Sequence, residues 1–411
     1  MVRRLAIAAV LLIAGAALLI AGLILVPPHK SALWLLGKIQ ALRRPPDFEF
    51  MLCGGRQPEA AYTACADPHP LLGFLNPPPV TVYARLIDAA GPDWAFRIHT
   101  LASLMLLGIA LLLLLRLAEW TKPHAVFAAL IGALMIAPVA NSLYGGHLDM
   151  LLLAAFVIGA WAAVRGRPWL TGAAIAGGFW LELYPVLLVV LVAVQTHRRR
   201  IILVAAATTA AIPLLLIPWV PLSLYGDYFG EVLPALQRYT APGHALSFAG
   251  VLTHMQAGAR ASQLYAIVMH PALRWASLVI LALGILVAML HQRAMRDTAP
   301  LETLALLLAT FLIAAPLTSP HHYVLAVPLV FVTLRRVVER PSWEVPLVFA
   351  CWAVLLVPSW LPLPAPLERF ASVRALYYAR YPLAIAAMAG LLMLARRMEW
   401  QALLTRRGGR P

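Results

Sequence analysis

The sequence predicts an all-α, polytopic integral membrane protein, and three observations lead there. Of its 411 residues, 62% are hydrophobic and only 12% are charged, against about 25% charged in a soluble domain. Apolar runs of about 20 residues, the length that crosses a bilayer as a helix, recur along the whole chain. Basic residues fall in short clusters between those runs, among them Arg3-Arg4, Arg165/Arg167, Arg198-Arg199-Arg200, Arg335-Arg336 and Arg396-Arg397. That placement is the signature of cytoplasmic connections. The net charge of +15 is therefore read as topology, and no nucleic-acid surface is expected.

The runs place about twelve spans, near 5–26, 96–116, 124–142, 148–164, 168–182, 185–197, 201–221, 274–291, 301–317, 322–335, 344–360 and 380–396, with both termini cytoplasmic. The first is longer than the apolar core of a cleaved signal peptide, about 7–15 residues, and reads as a retained anchor. Little chain is left for a soluble domain, so residues 1–411 form one integrated membrane domain. Its first extracytoplasmic loop covers 27–95 and its second large one 222–273. Two stretches of these loops read as short interfacial helices: 31–42, with Leu33, Trp34, Leu36 and Ile39 among lysines and arginines, and more weakly 80–87.

Two hairpins are too short for a pair of full spans. The stretch 168–197 must turn at Glu182-Leu183-Tyr184-Pro185, and 301–334 at Ser319-Pro320-His321-His322-Tyr323. Polar turns that stop below the membrane surface must be buried in protein or line a wet cavity, so these turns predict a cavity open to the outer face.

Acidic residues are few, and most fall on the outward side. Asp47 is the sharpest candidate, following Arg43-Arg44-Pro45-Pro46, where the prolines end any helix and set an extended approach. A carboxylate there suits a general base acting on an acceptor hydroxyl; Glu49 is its substitute, and a solvated loop acid is the plain alternative. Gly145-Gly146-His147-Leu148-Asp149 lies at an outward turn, where the glycines admit close approach of another chain or ligand and Asp149 suits a first helical turn. Glu182 sits in a recessed turn without a sequence partner, so it must be paired, protonated or wet. His321-His322 suggests a metal only weakly, because adjacent histidines point apart on a helix and no third ligand is spaced to match. A divalent metal stays open but is not indicated. Cys53 and Cys65 share the first outward loop and suit a disulfide if that loop faces an oxidising compartment; free thiols are the equal alternative. Cys351 reads as packing.

Several of these segments resemble glycosyltransferase family 87, multi-pass enzymes of the GT-C class that use polyprenyl-phosphate sugars. The resembling pieces are Asp47-Phe48, Phe74-Leu75-Asn76-Pro77-Pro78, Gly146-His147-Leu148-Asp149, Arg165-Gly166 through Ala173 and Gly177-Gly178 to Leu183-Tyr184-Pro185, and Ser319-Pro320-His321-His322-Tyr323. They run in the expected order from about 40 to 335. The resemblance implies a GT-C fold and inverting transfer of a sugar, often mannose, from a polyprenyl-phosphate donor to a glycan or glycolipid acceptor, outside the cytoplasm. It implies Asp47 as the catalytic base. Asp149, Glu182, His321 and His322 would line the acceptor or sugar pocket, with Glu49, Asn76, His147, Tyr184 and Tyr323 as further substrate contacts. Arg43, Arg44, Arg238 and Arg260 are candidates for the donor phosphate, since arginine offers bidentate, charge-assisted bonds. The chain departs from the family pattern at Glu182, where lysine is common, and near Ala245-Leu246-Ser247, which lacks an asparagine before the serine.

Two other classes compete. A secondary transporter or lipid flippase would use Asp149 and Glu182 as coupling groups near the membrane midplane, whereas transferase acids belong near the outer surface. A scaffold protein would tolerate replacement of Asp47.

Overall fold

The computed structural model describes residues 45–66, 73–118, 122–192, 197–240, 246–257, 267–295, 300–359, 361 and 370–408. The expected anchor at 5–26, the interfacial helix at 31–42, and Arg43, Arg44 and Arg260 lie outside the described residues.

The described chain begins as a helix and not as an extended strand of loop. Pro45 is extended, with φ −66° and ψ 151°, but Pro46 opens helix α1, Pro46–Arg56. Proline is well suited to this first position, where its missing N–H would have no partner in any case. The expectation of an extended approach therefore holds for Pro45 and stops there. Helix α2, Val80–Asp88, buries Val80, Ala84 and Ile87 on one face, while Leu86 is exposed. A helix therefore forms where an interfacial one is expected at 80–87, with its apolar face packed into the protein. Arg56 at the end of α1 donates to Asp88 at the end of α2, at 2.6 and 2.8 Å. Cys53 and Cys65 form a disulfide, which settles the open alternative on their pairing.

The membrane region follows. Its helices are α3 (Pro92–Leu117), α4 (Pro123–Leu134), α5 (Ala137–Gly145), α6 (Asp149–Val164), α7 (Pro168–Leu181) and α8 (Arg198–Leu216). After them come α9 (Phe248–Ala257), α10 (Pro271–Met295), α11 (Pro300–Ala314), α12 (Val327–Glu339), α13 (Val345–Leu356) and α14 (Ala371–Gly408). Among the described residues, five helical stretches are long and apolar enough to cross a membrane: Trp94–Leu117, Arg198–Leu216, Pro271–Arg293, Pro320–Glu339 and Ala375–Arg396. A sixth arises if α4 and α5, bent by 50° at their junction, count as one span. The expected twelve are not reached on this measure, because several apolar runs fold as shorter helices. Helix α6 has 16 residues and α7 has 14, about 24 and 21 Å of rise against a hydrocarbon core of about 30 Å.

Helix direction sorts the charges. Helix α6 starts at Asp149 and ends beside Arg165; α7 starts beside Arg167 and ends at Glu182. The stretch Pro320–Glu339 starts at His321-His322 and carries Arg335 and Arg336 near its far end. Asp149, Glu182, His321 and His322 thus share one end of the bundle, and these basic residues the other. Pro320–Glu339 is also the central element, with 83% of its apolar window buried, against 11% for α10 and 17% for α8.

Two hydrophobic clusters hold the fold. The larger fills the bundle around α6, α11 and α12. The smaller sits in the outer cap, where Phe48, Leu52, Phe74, Ala84 and Phe96 pack with Trp180 and Leu224. In the second large loop, the strand Tyr239–Thr240 pairs antiparallel with Ile267–Val268. Leu246 is pinned to the 318–323 turn from both sides: its N–H donates to Thr318 at 2.7 Å, and the Tyr323 hydroxyl donates to its carbonyl at 2.7 Å. Ser247 adds a hydrogen bond to the Pro316 carbonyl at 3.1 Å.

Candidate active site

The site forms where the outer cap meets the bundle, and each side chain is placed by a local feature. Asp47 lies in the first turn of α1, where the helix dipole favours a carboxylate. Its neighbour Phe48 is fully buried and packs edge-on against Phe96, with ring centroids 5.1 Å apart. Phe48 thereby anchors the turn, and Asp47 stays 59% exposed.

Helix α5 ends in a left-handed cap at Gly146, φ +67°. The chain folds back so closely that a Cβ on Gly145 would stand 2.1 Å from the His147 ring, and one on Gly146 2.9 Å from Phe48. Only glycine suits that pair of positions. The turn delivers His147, whose Nε2 lies 3.7 Å from Asp47 Oδ2. Burial pushes His147 down to about 3 from its ordinary value near 6.5, so at neutral pH the contact joins a carboxylate to a neutral imidazole. The His147 backbone is held in turn by the His99 ring, which meets the Tyr83 hydroxyl at 2.7 Å.

Two residues on, Asp149 opens α6. It is 1% exposed, and Ser142 Oγ donates to its Oδ2 at 3.1 Å. Glu182 terminates α7 in an extended conformation and points at the same place. On the 318–323 turn, the Ser319 N–H donates to His322 Nδ1 at 2.9 Å. His322 Nε2 then faces Glu182 Oε1 at 3.5 Å and Asp149 Oδ1 at 3.9 Å. Glu182, without a partner in the sequence, is thus paired in the fold. His321 stacks on His147, with centroids 3.6 Å apart and planes 16° apart. One continuous array runs from the exposed Asp47 through His147, His321 and His322 to the buried Asp149 and Glu182.

The other expected site residues fall elsewhere or at the edge. Tyr184 borders the array, with its ring 3.9 Å from Phe311 and edge-on to His322 at 6.1 Å. Tyr323 is fully buried against Tyr381, with its hydroxyl committed to Leu246. Asn76 uses its carbonyl to receive the Tyr62 hydroxyl at 2.6 Å. Glu49 is two residues from Asp47, about 200° around a helix. It lines a separate open cleft of about 370 Å³ with Phe50, Cys53 and Arg56. Arg238 is exposed, with its guanidinium over the Tyr239 ring. Ser142, His99 and Tyr83 carry no signal in the sequence reading, while Phe48 and Ser319 stand in its motifs without a role of their own. The capping pattern of Ser319 with His322 is a signal within one turn; the rest act across elements.

The objection that no third metal ligand is suitably spaced does not survive folding. His147, Asp149 and His321 present ligand atoms within 4.8 Å of one another, and so do Asp149, Glu182 and His322. The partners of His321 and His322 come from α6 and from the ends of α5 and α7, more than a hundred residues away in the chain.

Comparison with known proteins completes the picture. No curated protein sequence matches the chain. The crystal structure of ArnT from Cupriavidus metallidurans bound to undecaprenyl phosphate is similar at 17% sequence identity and a TM-score of 0.41, over 93% of this chain and 76% of that one. The family model for glycosyltransferase family 87 matches residues 74–320. That range contains His147, Asp149 and Glu182; the histidines at 321 and 322 lie just past its end, and Asp47 lies well before its start. The match covers more than half of the chain, and this membrane-spanning protein belongs to glycosyltransferase family 87.

Proposed function

We propose that the protein is a GT-C-type enzyme that moves a sugar, mannose in the first instance, from a polyprenyl-phosphate lipid to a glycan or glycolipid acceptor, with inversion at the anomeric carbon. The observation that carries this reading is Asp47: an exposed carboxylate at the mouth of a largely buried array of histidines and acids. In the reaction, the acceptor oxygen attacks the anomeric carbon and its proton passes to Asp47. The bond from that carbon to the phosphate oxygen breaks, and the polyprenyl phosphate leaves with the electron pair. A phosphate leaves readily, so the protein needs a base and positive or hydrogen-bonding groups for the developing charge. Arg43, Arg44, Arg238 and Arg260 are candidates for the second role. Asp149, Glu182, His147, His321 and His322, with Tyr184 at the edge, serve the sugar or acceptor hydroxyls. Glu49, on the other face of α1, is the weaker choice of base.

The reaction is assigned to the extracytoplasmic face of the plasma membrane, with both termini cytoplasmic. Support comes from the separation of charges described above, since basic helix ends mark the cytoplasm and the site occupies the opposite ends. The same placement disfavours a transporter, because Asp149 and Glu182 sit at helix termini and not halfway along them.

The test is transfer by purified protein in lipid, with labelled polyprenyl-phosphate mannose and a short glycan or glycolipid acceptor. Asp47→Asn is expected to fold normally, because Asp47 is exposed, and to lose about 10²–10⁴-fold in turnover. Equal activity of the two proteins would remove Asp47 from the mechanism. Activity only with another sugar lipid would move the donor assignment to that sugar.

A further inference from the structure

We propose that His147, Asp149 and His321 bind a divalent metal ion of the zinc or manganese class, immediately beside Asp47. The proposal deepens the transferase reading and relies on it only for what the ion would do.

The first argument is an electrostatic deficit. Asp149 Oδ1 and Glu182 Oε2 are both buried and make no hydrogen bond. Buried carboxylate oxygens without donors are costly and rare in folded proteins. Here two face one small region, served by Ser142 on the far oxygen of Asp149 and by the single proton that His322 can offer. A dipositive ion held by Asp149 lowers that deficit, supplying Asp149 directly and reducing the negative charge beside Glu182.

The second argument chooses between the two possible ligand groups. An imidazole that binds a metal through one nitrogen ordinarily donates a proton from the other, to a carboxylate or carbonyl. His322 does the reverse. Its Nδ1 accepts the Ser319 N–H, so Nε2 must carry the proton of the neutral ring and has no lone pair for a metal. His322 therefore orients Glu182 and Asp149 from outside the ion. His147 is better placed: its Nε2 lies 3.7 Å from Asp47 Oδ2, beyond hydrogen-bond distance but near enough that a small shift of the ring would let it donate there and leave Nδ1 for the metal. His321 stacks against it and joins the same group.

Two imidazoles and one carboxylate form a nitrogen–oxygen set suited to zinc, manganese, cobalt or ferrous iron. The ligand atoms of this group all lie within 4.8 Å of one another, close to the spread that bonds of about 2.0–2.2 Å to one ion require. Three protein ligands leave positions open for water or for an oxygen of the substrate, as in catalytic sites. Next to Asp47, an open position suits a phosphate oxygen of the departing group.

The experiment loads the purified full-length protein in lipid with Zn²⁺ or Mn²⁺, removes excess ion, and counts bound metal by mass spectrometry. The wild type is expected to hold about one ion per chain, Asp149→Asn and His321→Gln to fall to background, and His322→Gln to keep the ion with about tenfold weaker affinity. Cobalt loading gives a second reading that does not depend on yield: visible absorption bands that His321→Gln changes in shape and His322→Gln preserves. Wild-type protein that binds no ion, or an ion lost in His322→Gln and kept in His321→Gln, overturns the proposal. Parallel transfer assays separate this idea from the one it rests on. An ion-free protein that transfers sugar at full rate sinks the metal and leaves the transferase standing. A protein that binds the ion and transfers nothing does the opposite.

Discussion

Two buried histidine–carboxylate clusters lie at opposite ends of this bundle, and they are satisfied very differently. At the basic end, Glu302 opens α11, meets His291 of α10 at 3.2 Å and receives the Arg396 guanidinium of α14. Neither oxygen of Glu302 lacks a partner. At the acidic end, Asp149 and Glu182 share one imidazole at 3.5–3.9 Å, and each keeps an oxygen with no hydrogen bond. Burial is similar for Glu302 and Asp149, at 8% and 1% exposure. The difference is the arginine. A carboxylate closed by a guanidinium has its charge matched inside the protein and ties helices together. One left partly open retains unsatisfied charge for something that arrives. Burial alone therefore does not distinguish a tether from a site, whereas the accounting of donors does.

The sharpest way to break this contrast is to neutralise one carboxylate at each end. Glu302→Gln leaves the half-buried Arg396 against a neutral amide; losing one partner of a fully buried ion pair costs about 3–5 kcal/mol, and the partial exposure of Arg396 sets the expected loss below that range. A large drop in thermal stability is expected, with residual activity in the fraction that stays folded. Glu182→Gln removes a charge that lacks a full complement of partners, so stability should hold or rise while transfer falls about 100-fold, the scale of one lost electrostatic contact. Melting curves in detergent and initial rates, measured on both variants, decide it. If Glu182→Gln unfolds as readily as Glu302→Gln, the two clusters are alike and the outer one is structural.

The same contrast explains what was legible in the sequence. Each outer-site residue stands in a local pattern that announces itself. Asp149 follows a glycine pair, Glu182 interrupts a short apolar hairpin, and His321-His322 do the same in the next one. The short-hairpin argument needs only the rise of a helix and the thickness of a bilayer, and α7 and α11, with 14 and 15 residues, follow it. Their convergence was not legible, because it depends on how 14- and 16-residue helices pack around the central Pro320–Glu339 segment. The pairing of His147 with Asp47 and the stacking of His147 on His321 are consequences of that packing. The helical start at Pro46 is not legible because two adjacent prolines look alike in sequence, although only Pro45 is extended. Tyr323 shows the opposite error. It shares a motif with His321 and His322, yet it turns into the core to hold Leu246.

The disulfide gives a middle-sized effect confined to the outer cap. The Cys53–Cys65 bond has a sequence separation of 12 residues, and a loop of roughly that size contributes about 3 kcal/mol by limiting the unfolded chain. Replacing both cysteines with serine should lower the melting temperature and leave the bundle core intact. Because α1 carries Asp47 at one end and Cys53 near the other, substrate affinity should weaken modestly while maximal turnover stays close to wild type. A collapse of turnover equal to that of Asp47→Asn would mean that the cap and not the bundle holds Asp47 in place.

Two glycines give the smallest effect and the finest discrimination. Gly146 sits at φ +67°, with Phe48 2.9 Å and Phe96 3.1 Å from where a Cβ would stand. An alanine there bears a left-handed conformation costing about 1–2 kcal/mol and pushes against the residue that seats Asp47. Gly177 lies within α7, and a Cβ there meets nothing within 4 Å. Alanine at that position should stabilise the protein by up to about 1 kcal/mol, since glycine is the poorer helix former. Gly146→Ala is therefore expected to lose stability and about tenfold in turnover, scaled from a modest displacement of Asp47, and Gly177→Ala to gain stability with turnover unchanged. Both changes add one methyl group, so the difference between them isolates the turn. If Gly146→Ala loses stability but keeps its full rate, Phe48 absorbs the added methyl without moving Asp47, and the seat of the base lies in the first turn of α1 itself.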